Sequence, residues 1–100
     1  MTEQQLIQKF PEMANTCKPI IYHGGYAYFT QYFESRPNDW FYEMSWVTYR
    51  VKADGSGEAE RFGSTSKEAD PDGERITGQK YMEEDTMKAI MNEHGENIFF

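Results

Sequence analysis

Three side chains of this sequence offer the thiol or imidazole that zinc binding and nucleophile or base chemistry near neutral pH favour: Cys17, His23 and His94. A structural zinc site needs about four such ligands at short spacing. Here the three stand apart, and nothing resembles CxxC or HExxH, so no metal is expected. Nucleophilic catalysis needs a Ser, Thr or Cys with a base in reach. Cys17 instead continues an apolar stripe with Phe10, Met13 and Ala14, where a thiol behaves as a small hydrophobe. It is expected to be buried and chemically quiet. His23 reads as a residue flanking a hairpin, and His94 as a helix C-terminal residue placed well against the dipole. GxSxG is absent, and Gly24-Gly25 lacks the further glycines and the lysine of a phosphate cradle. No cofactor and no catalytic residue is indicated.

The run Asp70-Pro71-Asp72-Gly73 invites comparison with a calcium loop. Setting Gly73 on the required glycine puts Glu68, Asp70 and Asp72 at ligand positions, but Gln79 where the bidentate Glu belongs. The match fails at its most important ligand, and an acidic turn without metal accounts for the run. Glu83 and Glu84 are neighbours on an expected helix and diverge by about 100 degrees. They suit a solvated face better than acid and base work.

Charge is the stronger signal. Seventeen acidic against ten basic side chains give a net charge of −7, so a chain-wide basic footprint for nucleic acid is missing and direct nucleic-acid binding is not expected. Residues 1–53 hold five acids and five bases, whereas residues 54–100 hold twelve acids and five bases. Within that half, Glu68, Asp70, Asp72, Glu74, Glu83, Glu84 and Asp85 lie in eighteen residues. One reading is a solvated surface that aids solubility. The sharper one is a continuous acidic face that docks on a basic protein surface.

Aromatic residues are the second signal. The chain has one Leu but sixteen aromatics, and eleven of these fall between Tyr22 and Tyr49. Each can bury roughly 150–250 Å², enough for a small core. Both faces of the expected strands carry them, so a patch drawn from Tyr26, Tyr28, Tyr32, Trp40 and Tyr42 is expected to be exposed, and such patches usually engage protein.

The elements that must position these residues follow from period and punctuation. Thr2 and Gln5 form a capping-box pattern, which predicts a helix from about residue 3 that kinks or restarts near Pro11 and ends before Pro19. From Ile20 the period becomes two, and Gly24-Gly25 marks a hairpin turn. Trp40 to Ala53 reads as a strand whose apolar parity changes, through either a bulge near Ser45–Val47 or cover on both sides. In the return after Asp54–Gly57, pairing Arg50 with Glu60 rather than Arg61 places opposite charges together. Residues 63–78 contain one large apolar residue, Ile76, and read as a long exposed loop, with room for a short strand at Glu74–Thr77. A last helix is expected over about Tyr81 to His94, stopped by Gly95.

The expectation is one α+β domain over residues 1–100: an N-terminal helix, an antiparallel sheet of four or five strands, and a C-terminal helix packed on one face. A single cysteine excludes an internal disulfide, and neither a signal peptide nor a membrane span is evident, so the chain reads as cytoplasmic. This tiny, acidic, aromatic profile resembles the small inhibitors that phages and mobile elements encode against host enzymes, including mimics of nucleic acid. What that implies is a non-enzymatic protein occupying a basic, nucleic-acid-binding site on a protein partner. The alternatives are a ligand-binding domain or enzyme with an aromatic-lined pocket, and a structural subunit that assembles with itself or others.

Overall fold

The first helix starts where the capping box places it. In the computed structural model, which describes residues 1–100, Thr2 Oγ1 accepts a hydrogen bond from the Gln5 N–H at 3.2 Å, and Gln5 Oε1 accepts one from the Thr2 N–H at 2.8 Å. Helix α1 spans Glu3–Lys9. Proline then cannot donate to the preceding turn, and the chain tightens into a 3-10 turn over Pro11–Asn15.

Five strands follow: β1 Ile21–His23, β2 Tyr26–Asn38, β3 Phe41–Lys52, β4 Glu60–Asp70 and β5 Gly73–Tyr81. They form one antiparallel sheet in sequence order, with helix α2 over Glu84–His94 after it. The α+β architecture is therefore the expected one, with five strands. Gly24 and Gly25, at φ of +56° and +82°, supply the left-handed pair that a two-residue hairpin turn requires. No helix is long and apolar enough to cross a membrane.

Residues 63–78 depart from the expected loop. They belong to a hairpin in which Asp70 faces Gly73, and the Asp70 carboxylate accepts the Asp72 N–H at 2.9 Å. Apolar periodicity is silent here because β5 is an edge strand, exposed along its length until Tyr81. Backbone ladder bonds and polar pairs hold it instead. Arg75 bridges to Glu68 at 2.9 Å and Asp70 at 3.0 Å, while the Thr65 and Tyr81 hydroxyls lie 2.8 Å apart.

Between β3 and β4 the charge-paired register holds: Arg50 faces Glu60 and Tyr49 faces Arg61. Thr48 then faces Gly63, which leaves Phe62 as an extra residue in β4. The bulge lies there and not at Ser45–Val47, which pair without a break. The parity change in β3 instead reflects cover on both sides.

That cover consists of two separate cores. Leu6, Phe10 and Met13 pack with Ala27, Phe29 and Val51 on one face. Met87, Ile90 and Phe99 pack with Ile21, Tyr28, Phe62 and Tyr81 on the other. Consecutive residues Ala27, Tyr28 and Phe29 alternate between them, as strand geometry dictates. Each large side chain removed from water contributes about 1.5–3 kcal/mol. Buried Thr30, Thr48 and Thr65 close the cores, with the Thr30 and Thr48 hydroxyls 2.9 Å apart. Beyond this threonine belt the strands run on, in a molecule 45 Å long and 19 Å thin.

Candidate interaction surface

The strand ends beyond the belt form a distal half-sheet: β2 from Gln31, β3 up to Val47, β4 from Ser64 and β5 down to Gln79. Met44 and Ala69 are buried within it, but several of its large apolar side chains are left in water. Trp40 in the β2–β3 turn is 72% exposed, Phe33 53%, Ile76 52% and Tyr32 38%. On the face shared with α2, the Tyr32 ring stacks at a tilt on Trp46 with centroids 5.1 Å apart. The Tyr32 hydroxyl donates to Glu34 at 2.7 Å, and Arg36 Nε donates to the other Glu34 oxygen at 2.7 Å. Arg36 in turn lies over Tyr42, 4.9 Å from its centroid. Burial and the Glu34 carboxylate push the Tyr32 phenol up to about 12. Bonding to Arg36 and then Tyr32 holds Glu34 below the usual carboxylate range.

Of the five aromatic candidates, Tyr32, Trp40 and Tyr42 gather on this half-sheet. Tyr28 does not: it is 2% exposed in the α2-side core. Tyr26 is half-buried against that core, 4.1 Å beneath the Arg50 guanidinium. Both sit near the start of β2, where the face they share is covered. Ile76 extends the patch on the same face, its partner Lys67 pairing in turn with Met44, whereas Phe33, next to Tyr32 in β2, is exposed on the opposite face; neither stood among the five candidates.

The seven acidic candidates do not form one face. Glu68 and Asp70 pair with Arg75, and Asp72 and Glu74 stand free at the β4–β5 tip. Glu84 and Asp85 are exposed at the start of α2, and Glu83 is bound to Arg50 at 2.6 Å. Seven residues of β5, from Arg75 to Tyr81, separate the two groups, a span of about 23 Å at ~3.3 Å per residue. A loop could have folded them together, but an extended strand holds them apart. The distal group gains Asp39 and Glu43 from the β2–β3 side, Glu43 directly facing Glu68. Across residues 34–43 and 67–76 there are seven carboxylates against three cations. Asp39, Glu43, Asp72 and Glu74 have no ion-pair partner. These two extra acids lie in the charge-neutral half of the chain, so only strand pairing could reveal them.

Arg50 is the one charged side chain in the core, 6% exposed. Its Nε donates to Glu60 at 2.5 Å, Nη2 meets Glu83, and Nη1 donates to the Tyr28 hydroxyl at 3.3 Å. Burial opposes the charge, but these three hydrogen bonds outweigh it and raise the guanidinium above its ordinary value. With both carboxylates engaged, the cluster ties β3, β4 and the start of α2 together.

Of the residues with metal or nucleophile chemistry, the two histidines meet at one carboxylate oxygen of Glu93, and Cys17 does not join them. His23 Nδ1 and His94 Nε2 each lie 3.8 Å from Glu93, and no group of three or more His, Cys, Asp or Glu side chains is placed to hold an ion. Cys17 is exposed rather than buried, because the helix ends at Lys9 and helical spacing no longer carries residue 17 to the core. Its N–H instead donates to the Thr30 carbonyl at 2.7 Å, laying the segment along β2. Native protein should therefore react with a thiol reagent at a rate unchanged by stabilising salts. That rate should keep climbing past the ordinary thiol range, since partial desolvation pushes the thiol upward against the nearby Lys18 charge. Labelling that occurs only after unfolding would contradict the exposed placement. No protein-family model, curated protein or solved structure matches the chain.

Proposed function

We propose that this chain is a non-enzymatic binding protein that docks its distal half-sheet on a basic surface of a protein partner, of the kind a nucleic-acid-binding site presents. One observation supports this above the others: the sheet extends past both cores as a thin blade whose exposed aromatics are rimmed by uncompensated carboxylates. Uncovered apolar surface of this sort gains most from burial against protein, and aromatic side chains dominate the energetics of such contacts. The surrounding negative charge sets orientation and association rate. The basic partner and the absence of direct nucleic-acid binding are part of the same reading, as acidic rims repel phosphates.

The test begins with a photo-crosslinking residue in place of Trp40, which identifies what the blade touches. Binding kinetics on the purified partner then separate the two contributions. Asp72→Lys with Glu74→Lys should lower the association rate about ten-fold at low salt and flatten its salt dependence. Trp40→Ala should mainly raise the dissociation rate, by ten-fold or more. Equal kinetics for all three proteins would remove the proposal. Crosslinking of Trp40 only to a second copy of the chain would assign the blade to self-assembly.

A further inference from the structure

The Phe62 bulge has an effect on the face that carries α1. Residues 61 and 64 of an unbroken strand would point to opposite faces. Because Phe62 is the extra residue, Arg61 faces Tyr49 and Ser64 faces Val47, and both project on the same side. Lys80 faces Ser64 from β5 and joins them. The three residues line an open dent of about 390 Å³, with Met82, Phe62 and Gly63 completing its wall. Bulges commonly re-aim a side chain in this way.

The charge of the dent is opposite to that of the molecule. Carboxylates outnumber cations seventeen to ten, yet neither Arg61 nor Lys80 enters any ion pair. The nearest acidic neighbour in β4, Glu60, is already engaged by Arg50. The dent therefore offers a guanidinium fork, an ammonium and a hydroxyl from two strands, all on one side of a concave surface. These are the donors that suit a tetrahedral oxyanion, since the guanidinium can bond two oxygens at once and the ammonium a third. Met82, 55% exposed, adds an apolar wall beside them.

We propose that this dent is a binding site for a phosphate group, free or as the monoester of a small organic molecule, held by Arg61, Lys80 and Ser64. The organic part of a monoester would lie on Met82. The site adjoins the distal blade only at Ser64, its two cations lie behind it, and it does not depend on the docking reading.

Amide chemical shifts of the whole chain, followed by NMR during titration with inorganic phosphate and separately with adenosine 5′-monophosphate at fixed ionic strength, test it. Shifts should concentrate at residues 61–64 and 80–82. Arg61→Gln with Lys80→Gln should weaken binding at least ten-fold while leaving the spectrum elsewhere unchanged. Lys88→Gln, on the exposed side of α2, should leave affinity as it was. Tighter binding of the nucleotide than of phosphate supports the monoester, and equal binding supports the free ion as occupant. Shifts spread over Lys9, Lys18 and Lys88 alike, or undiminished binding by the double variant, would overturn the site.

Discussion

Alanine at position 63 should destabilise the protein by ~3 kcal/mol, at the upper end of what overpacking usually costs, lowering the thermal midpoint by roughly 12–24 °C for a domain of this size. Gly63 faces Tyr81 across β4 and β5, and the tyrosine ring lies over the glycine where a side chain would otherwise stand. A methyl group there would collide with the ring, 2.7 Å from Tyr81 Cγ, and would stand 2.5 Å from the Lys80 carbonyl. The second contact is backbone, so rotating the ring cannot relieve it. Relief requires parting the two strands, which also disturbs the Tyr81 hydroxyl bond to Thr65 and the packing of Tyr81 on Phe62 and Phe99. Gly78→Ala is the matched control, since nothing lies within 4 Å of its added carbon. It should be neutral or slightly stabilising, because alanine restricts the unfolded chain. Calorimetry on the two variants decides the matter: similar midpoints would show that the glycine is not required by the close approach.

Arg50→Ala is the second large effect, with an expected loss of about 3 kcal/mol, at the lower end for breaking a buried ion cluster. The lower end applies because Glu60 and Glu83 keep 45% and 44% of their side chains in solvent, so both can rehydrate when the guanidinium is gone. The Tyr28 hydroxyl, by contrast, is left without its partner in the core. Arg50→Lys should recover little, since an ammonium cannot reach two carboxylates and a phenol from one plane. The cluster also sets a pH dependence. Arg50 holds the Glu83 carboxyl below its ordinary value, so the stability it gives is present above the unfolded-state pKa of about 4.3 and is lost as pH falls through the folded-state value. Urea midpoints measured from pH 7 down to pH 3 should fall less steeply in Glu83→Gln than in the native chain. Parallel pH profiles would show that Glu83 does not contribute to the acid sensitivity.

How much of this was legible in the sequence depended on whether a residue's signal was local. Thr2 with Gln5, and Gly24 with Gly25, act over three or four positions, and both elements appear where their spacing put them. The Arg50–Glu60 register was decided by charges directly across a short turn, and it too is found. The hairpin of β4 and β5 was illegible because an edge strand with two wet faces has no apolar period to read. The burial of Cys17 was misjudged because a stripe counted at helical spacing assumes that the helix continues, and Pro11 ends that assumption after Phe10. The acidic surface followed the same rule: residues 68–85 are near in sequence, but strand pairing set Glu43 beside Glu68 and carried Glu83 away. The dent depends on the Phe62 bulge, one extra residue whose position no single-strand pattern specifies.

Because the blade projects past the threonine belt, its length is separable from the stability of the two cores. Removing two residues from each arm of the β4–β5 hairpin would shorten it by ~7 Å while keeping every remaining side chain on its present face. Removing one would turn Asp70 and Glu68 to the opposite side. The hairpin thus behaves as a ruler graduated in residue pairs, so that reach toward a partner can change in discrete steps without repacking either core.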